Sequence, residues 1–341
     1  MRHLLLALCS CTLFACDNNG GSSGGGDAAP PDPDAPMLTG DKYSLTWGPL
    51  TVAPGAEGTQ CVWMRLPNTT EIKVHSLHNQ LTGGSHHLIV YKDDMDTTEQ
   101  TTRVDCQPFT GALNATGMIA PIAITQRADD PIFLPNGVAY TFGAGQMIKL
   151  EMHYKNSGDT DLSVMGTVDF YAADPATIQH EAAILFAGSP DIDLLAGETE
   201  TLHQFFKPPS SANFSNAKFF AITGHTHRLG TQVKVRTGAS AAGPLTEVYA
   251  PSPFKWDEPA TATPPEFTLP AGGGFDFECT WTNTTSSTVK FGESATKEMC
   301  FFWAYYYPSI GSKVCFHTEQ VGSVNVCCPG DALCGYLEGM L

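Results

Sequence analysis

The chain has 341 residues and a formal net charge of −17, with 35 acidic side chains against 18 basic ones. So few cations cannot neutralise a run of phosphates, which excludes nucleic acid as a partner. The length exceeds one ordinary core and fits two domains.

Residues 1–16 form a targeting segment: Arg2 and His3 precede an apolar run, Leu4 to Leu8 with Leu13 and Phe14, and Leu13-Phe14-Ala15-Cys16 closes it. A Cys directly after Ala fits a bacterial lipoprotein box, with Cys16 as the lipidated residue. The run is too short to span a bilayer. On this reading the protein is exported and lipid-anchored in the bacterial cell envelope, periplasmic or surface-facing. The other reading is an ordinary secretory signal cut further on, with Cys16 incidental. Residues 17–39 are rich in Gly and Ser and then in Pro, the composition of a tether.

From Tyr43 onward, short runs are broken by Gly, Pro, Asn and Asp. Examples are Gln60 to Leu66, His87 to Tyr91, Met147 to Tyr154, Lys218 to Thr223, Phe275 to Asn283 and Cys300 to Tyr307. Thr231 to Arg236 alternates with the period of a strand that buries one face. The expected fold class is all-β, with two antiparallel β-sandwich domains of the jelly-roll type. An interruption at Ala172 to Gln179 divides residues 40–176 from 177–310, and a Cys-rich extension, 311–341, follows.

Imidazoles gather at His86-His87 and His153 in the first domain and at His225-Thr226-His227 in the second. Residues i and i+2 of a strand share a face, so His225 and His227 reach one ion. Adjacent residues face opposite ways, so His86 and His87 act together only at a strand end or bulge, and Gly83-Gly84-Ser85 offers an irregular entry. Otherwise one is buried and the other exposed, and His153 is a hydrogen-bonded core residue. Met299 is the candidate third donor for the second pair, or a core filler. Five imidazoles and one thioether make a ligand set for two copper ions, because thioether sulfur selects Cu(I) and imidazole suits both oxidation states. No helical H-E-x-x-H occurs, which removes zinc-protease chemistry. His75, His78, His180, His203 and His317 show no such pairing.

These motifs resemble, in order, those of the copper type II, ascorbate-dependent monooxygenases, the family of peptidylglycine alpha-hydroxylating and dopamine beta-monooxygenases. The resemblance runs from about Gln60 to Pro308. Cys61-Val-Trp-Met-Arg-Leu-Pro leading to His86-His87-Leu-Ile-Val-Tyr is similar to the first site region, and Met152-His153-Tyr154 to the segment with its third histidine. Gly224-His225-Thr226-His227 resembles the His-x-His motif, and Lys297-Glu298-Met299-Cys300 the methionine motif.

The resemblance implies two jelly-roll domains with a water-filled interdomain cleft and two coppers per chain. His86, His87 and His153 would hold the electron-storing ion. His225, His227 and Met299 would hold the catalytic one. O2, a small-molecule substrate and a reductant, ascorbate or another, would be the reaction partners. Cys61 with Cys106, and Cys279 with Cys300, resemble family disulfides. Cys315, Cys327, Cys328 and Cys334 have no counterpart, and their three possible pairings stay open.

Departures narrow the substrate. Where the peptide-processing enzymes place an Arg before His-x-His, this chain has Ile222-Thr223-Gly224. Polar substrate contacts after the methionine are replaced by Phe301 and Trp303. Those two side chains are either contacts for an apolar or aromatic substrate or core packing. Arg228 is either a replacement cation or a solvated strand-end residue. Two other functions compete: a copper-binding surface lipoprotein without turnover, and a jelly-roll binding or adhesion module.

Overall fold

The alternating and all-apolar runs form strands. The computed structural model describes residues 37–109, 111–113, 116–320 and 322–337. The leader and Cys16 lie outside the described residues. Residues 38 onward form one compact unit.

The first half contributes β1 (Lys42–Val52), β2 (Glu57–Arg65), β3 (Ile72–Leu81), β4 (Ser85–Asp93), β5 (Gln100–Asp105), β6 (Ile119–Thr125), β7 (Asp129–Phe133), β8 (Val138–Phe142), β9 (Met147–Lys155), β10 (Leu162–Ala173) and β11 (His180–Glu181). One sheet runs β1-β10-β3-β8-β11 with β7 also on β3, and the other runs β5-β2-β9-β4-β6. Neighbours within each sheet are distant in sequence, because the chain crosses repeatedly from one sheet to the other. Apolar side chains such as Trp47, Leu88, Leu150, Met152 and Val168 are buried in this half.

The second half contributes β12 (Ala183–Gly188), β13 (Asp193–Leu194), β14 (Thr199–Phe206), β15 (Lys218–His225), β16 (Gly230–Gly238), β17 (Leu245–Tyr249), β18 (Gly274–Thr282), β19 (Val289–Lys290), β20 (Phe301–Tyr307), β21 (Lys313–Thr318) and β22 (Val324–Cys328). A sheet ordered β15-β20-β12-β21-β22 faces one ordered β14-β18-β16-β17. Most pairings are antiparallel; β8 with β11 and β12 with β21 are parallel. The Cys-rich stretch after residue 310 supplies β21 and β22, so these strands are part of that sheet.

The sheet containing β20 decides how the halves meet. Every residue of β20 is buried. Phe302, Ala304 and Tyr306 enter the second half's core, whereas Phe301, Trp303, Tyr305 and Tyr307 join the apolar cluster of the first half. A strand with both faces apolar must be covered on both sides. At this contact the expected water-filled cleft is therefore replaced by a continuous apolar seam: exposing such a face costs about 25 cal/mol for each Å² of apolar surface.

Four disulfides brace the fold: Cys61–Cys106, Cys279–Cys300, Cys315–Cys327 and Cys328–Cys334. The first two are the pairs the family resemblance implied.

Candidate metal centre

β4 enters irregularly after Gly83-Gly84. Ser85 pairs with Tyr154 and His87 with His153, so two steps along β4 match one along β9 and His86 is the extra residue of a bulge. A bulge re-aims a side chain that the pleat would send to the other face. Both neighbours thereby join one cluster: the rings of His86, His87 and His153 lie 5.0–5.2 Å apart between centroids.

β15 ends at His225, and His227 follows in the turn before β16. Their rings are 5.2 Å apart and nearly perpendicular. Glu298 holds this turn. Its carboxylate accepts the backbone N–H groups of His227 at 2.9 Å and Leu229 at 2.8 Å, and the Trp281 indole N–H at 2.8 Å. Burial pushes the Glu298 carboxyl up to about 7, against those three hydrogen bonds. Because Glu298 directly precedes Met299, the same contact ties the His-x-His turn to the segment that carries the thioether. In the sequence Glu298 was visible only as part of a motif, with no role attached.

The two groups are not separate. His86 lies 5.2 Å from His227 and 5.9 Å from His225 between ring centroids. Two trios place ligand-capable atoms within 4.8 Å of one another: His86, His87 and His153, and His86, His225 and His227. His86 belongs to both. Met299 is 4% exposed and lines the same small cavity as His225 and His87.

Hydrogen bonds select which ring nitrogens stay available. His225 Nδ1–H donates to Gln126 Oε1 at 2.8 Å, His227 Nδ1–H to the Lys297 carbonyl at 3.0 Å, and His153 Nε2–H to Glu57 Oε1 at 3.1 Å. In each ring the other nitrogen keeps its lone pair, which is how partners outside a metal site fix ligand tautomer and direction. His86 Nε2, His87 Nδ1, His153 Nδ1 and His227 Nε2 are buried without a hydrogen-bond partner. A buried polar atom left bare is costly, so four in one cluster fit a bound ion. Burial, reinforced by the neighbouring imidazoles, lowers His86, His87 and His225 well below the usual histidine range and brings His227 to about 4. All four are neutral at neutral pH, the state a metal requires.

Glu57 gathers three partners from around the cluster. It accepts from His153, from Lys155 Nζ at 3.2 Å, and from the backbone N–H of Ala295 at 2.8 Å. These hydrogen bonds, led by the one from His153, hold its carboxyl down at about 2. Neither Glu57 nor Gln126 carried a sequence signal, since each is defined by a partner far along the chain.

The cavity beside His225 is about 20 Å³, room for about one water molecule. Ile89, Phe109, Ile124, Phe186 and Trp303 line it together with His87, Gln126, His225, Glu293 and Met299. Glu293 Oε1 is buried there without a partner, and burial with the nearby Glu151 charge pushes the carboxyl up to about 8. Of the other sequence candidates, Trp303 reaches the cavity. Phe301 stacks on Phe186 at 4.8 Å and is not among the lining residues, and Arg228 is exposed.

Other described histidines have partners of their own. His78 pairs with Asp129 and His203 with Asp276, both at 2.6 Å, and His317 bonds Asn325. His203, Asp276 and Glu278 form a further group with metal-ligand spacing, but the Arg236 guanidinium already engages both carboxylates.

Fold and site together define an all-β protein with a buried, neutral imidazole cluster suited to a soft or borderline metal. Residues 206–325 match the model of the copper type II ascorbate-dependent monooxygenase, C-terminal domain. The matched segment includes His225, His227 and Met299; the first-half histidines lie outside it. No curated protein matches the chain. Among solved structures, the major capsid protein P2 from bacteriophage PM2 aligns at 8% identity and TM-score 0.35, covering 80% of this chain and 100% of that one. The structure of infectious bursal disease virus Gx strain aligns at 10% identity and TM-score 0.17, covering 83% and 75%. Likenesses this slight bear on neither fold nor function.

Proposed function

We propose that this protein is an exported copper monooxygenase that hydroxylates a C–H bond of a small organic substrate: R–H + O2 + 2 e⁻ + 2 H⁺ gives R–OH + H2O. The observation that carries the proposal is the pair of buried imidazole trios sharing His86, with the Met299 thioether on the cavity that His225 lines. Bound copper would supply the one-electron redox steps and the activation of O2. His86, His87 and His153 would hold one ion, and His225, His227 and Met299 the other. Glu57, Gln126 and the Lys297 carbonyl hold the His153, His225 and His227 rings and would leave their other nitrogens free for the ions. The apolar wall of Ile89, Phe109, Phe186 and Trp303 excludes bulk water and favours an apolar or aromatic substrate group. We read the crossing of the chain between paired sheets as the jelly-roll order. Four disulfides fit an oxidising compartment, and with the Cys16 lipoprotein box they support an envelope location.

One observation favours a second reading, copper binding without turnover. The cavity holds about one water and no organic molecule, so hydroxylation requires the seam to part. Metal analysis and oxygen consumption separate the readings. The enzyme reading expects two coppers per folded chain and copper-dependent O2 uptake with ascorbate and an apolar substrate. Absence of bound copper overturns both readings, and two coppers without O2 uptake across a panel of aromatic and aliphatic substrates leaves the second.

A further inference from the structure

His86 stands in the middle of the imidazole cluster. Its ring centroid lies 5.0–5.2 Å from those of His153, His87 and His227, and 5.9 Å from that of His225. Without it the trios meet less closely: His87 and His225, one from each, are 6.3 Å apart. The bulge at the entry to β4 produces this position, because His86 is the extra residue that β9 does not pair.

The ring nitrogens of the cluster are used unequally. His153, His225 and His227 each spend one nitrogen on a protein acceptor and have one left to offer. The His86 side chain makes no hydrogen bond among the described residues, and its Nε2 is buried. His87 Nδ1 is also bare, but His87 belongs to the first trio alone. A neutral imidazole carries one N–H and one lone pair. An ion bound at one nitrogen of His86 therefore leaves an N–H for which the protein supplies no acceptor, unlike the other three rings.

We infer that the His86 ring bridges the two ions as an imidazolate, one nitrogen on each, so that His86, His225, His227 and Met299 together hold the second ion. The inference rests on the copper reading and adds how the two positions are joined. Membership of both trios places His86 for this role. Charge favours it as well. The other donors are neutral imidazoles and a thioether, and two divalent ions among rings this close repel strongly where burial lowers the dielectric. An imidazolate puts a negative charge between them. On bridging, His86 loses its N–H proton to solvent and one nitrogen–metal bond forms in its place. The ring is then a bonded path for one electron, with the first ion going from Cu(I) to Cu(II) and the second from Cu(II) to Cu(I).

The test uses the full chain loaded with Cu(II) in air, with metal content by mass spectrometry and integrated electron paramagnetic resonance as the readouts. Two coppers per chain with almost complete loss of the Cu(II) signal are expected, because exchange through the ring pairs the two spins. A chain loaded with one Cu(II) and one Zn(II) should regain one full spin per copper, which separates coupling from reduction of the metal. In His86→Ala the spin count should equal the copper content; should that variant not fold, the native and mixed-metal proteins decide. Two coppers with two full spins overturn the bridge and leave the monooxygenase reading standing. A silent copper–zinc protein, or a silent pair in His86→Ala, also overturns the bridge. A single copper, or none, refutes the two-copper reading and the bridge together. A coupled pair without O2 uptake upholds the bridge and leaves copper binding without turnover.

Discussion

The Met299 side chain sits almost wholly inside the protein on the cavity that His225 shares, so packing and ligation compete as explanations for it. Met299→Leu separates them. Leucine keeps the volume at a cost below about 1.5 kcal/mol but removes the soft sulfur. We expect a melting temperature within a few degrees of native, copper content falling from two towards one, and O2 uptake lower by at least about 100-fold; unchanged uptake refutes the ligand assignment. Glu293 titrates oppositely to an ordinary surface acid. Its folded value, about 8, stands above the 4.5 of an unfolded glutamate, so the folded chain keeps a proton that the unfolded chain releases. Its stabilising contribution is complete below pH 4.5 and is lost as pH rises through 8, with a slope of up to about 1.4 kcal/mol per pH unit. Glu293→Gln removes that slope, so thermal unfolding of the metal-free variant should vary less between pH 5 and 8 than the native protein does. Parallel curves refute the assignment.

At the level of elements, the site depends on how strand ends are fastened. The bulge at the start of β4 turns His86 and His87 to one cluster, and the Glu298 carboxylate joins the end of β15 to the entry of β20. Cys279–Cys300 pins that same entry to β18 and closes a loop of 21 residues. Removing it with Cys279→Ala and Cys300→Ala should cost roughly 2–4 kcal/mol in denaturant unfolding. Because Met299 adjoins Cys300, copper should also dissociate faster from the double variant. Native metal retention would show that the bridge serves stability alone.

Across the whole molecule, the two halves share one apolar seam, with Phe186, Phe301 and Trp303 in the same cluster as Leu88, Ile124 and Leu150. A shared core couples their unfolding. Calorimetry of the metal-free protein should give a single transition whose calorimetric and van't Hoff enthalpies agree. Two resolved transitions would show that the halves fold independently and that the seam contributes little.

The strand pattern, the pairing of His225 with His227 and the candidacy of Met299 were legible because each is a local property: alternation, spacing or a residue type in an apolar run. The need for a bulge at His86 was also legible, since adjacent side chains cannot otherwise share a face. The partners were not. Glu57 meets the backbone of Ala295 across 238 residues, and Gln126 meets His225 across 99. No local rule encodes such contacts. The pairing of the last four cysteines awaited the antiparallel register of β21 and β22, which sets Cys315 opposite Cys327 and leaves Cys328 to Cys334. By itself, then, the amino-acid order determined an all-β chain carrying donors suited to copper. Tertiary structure decided that the donors form two overlapping trios around His86 and that an apolar seam stands where an open cleft was expected. A side chain's type and local direction are set by its neighbours in sequence, whereas the groups it meets depend on how whole sheets cover one another's apolar faces.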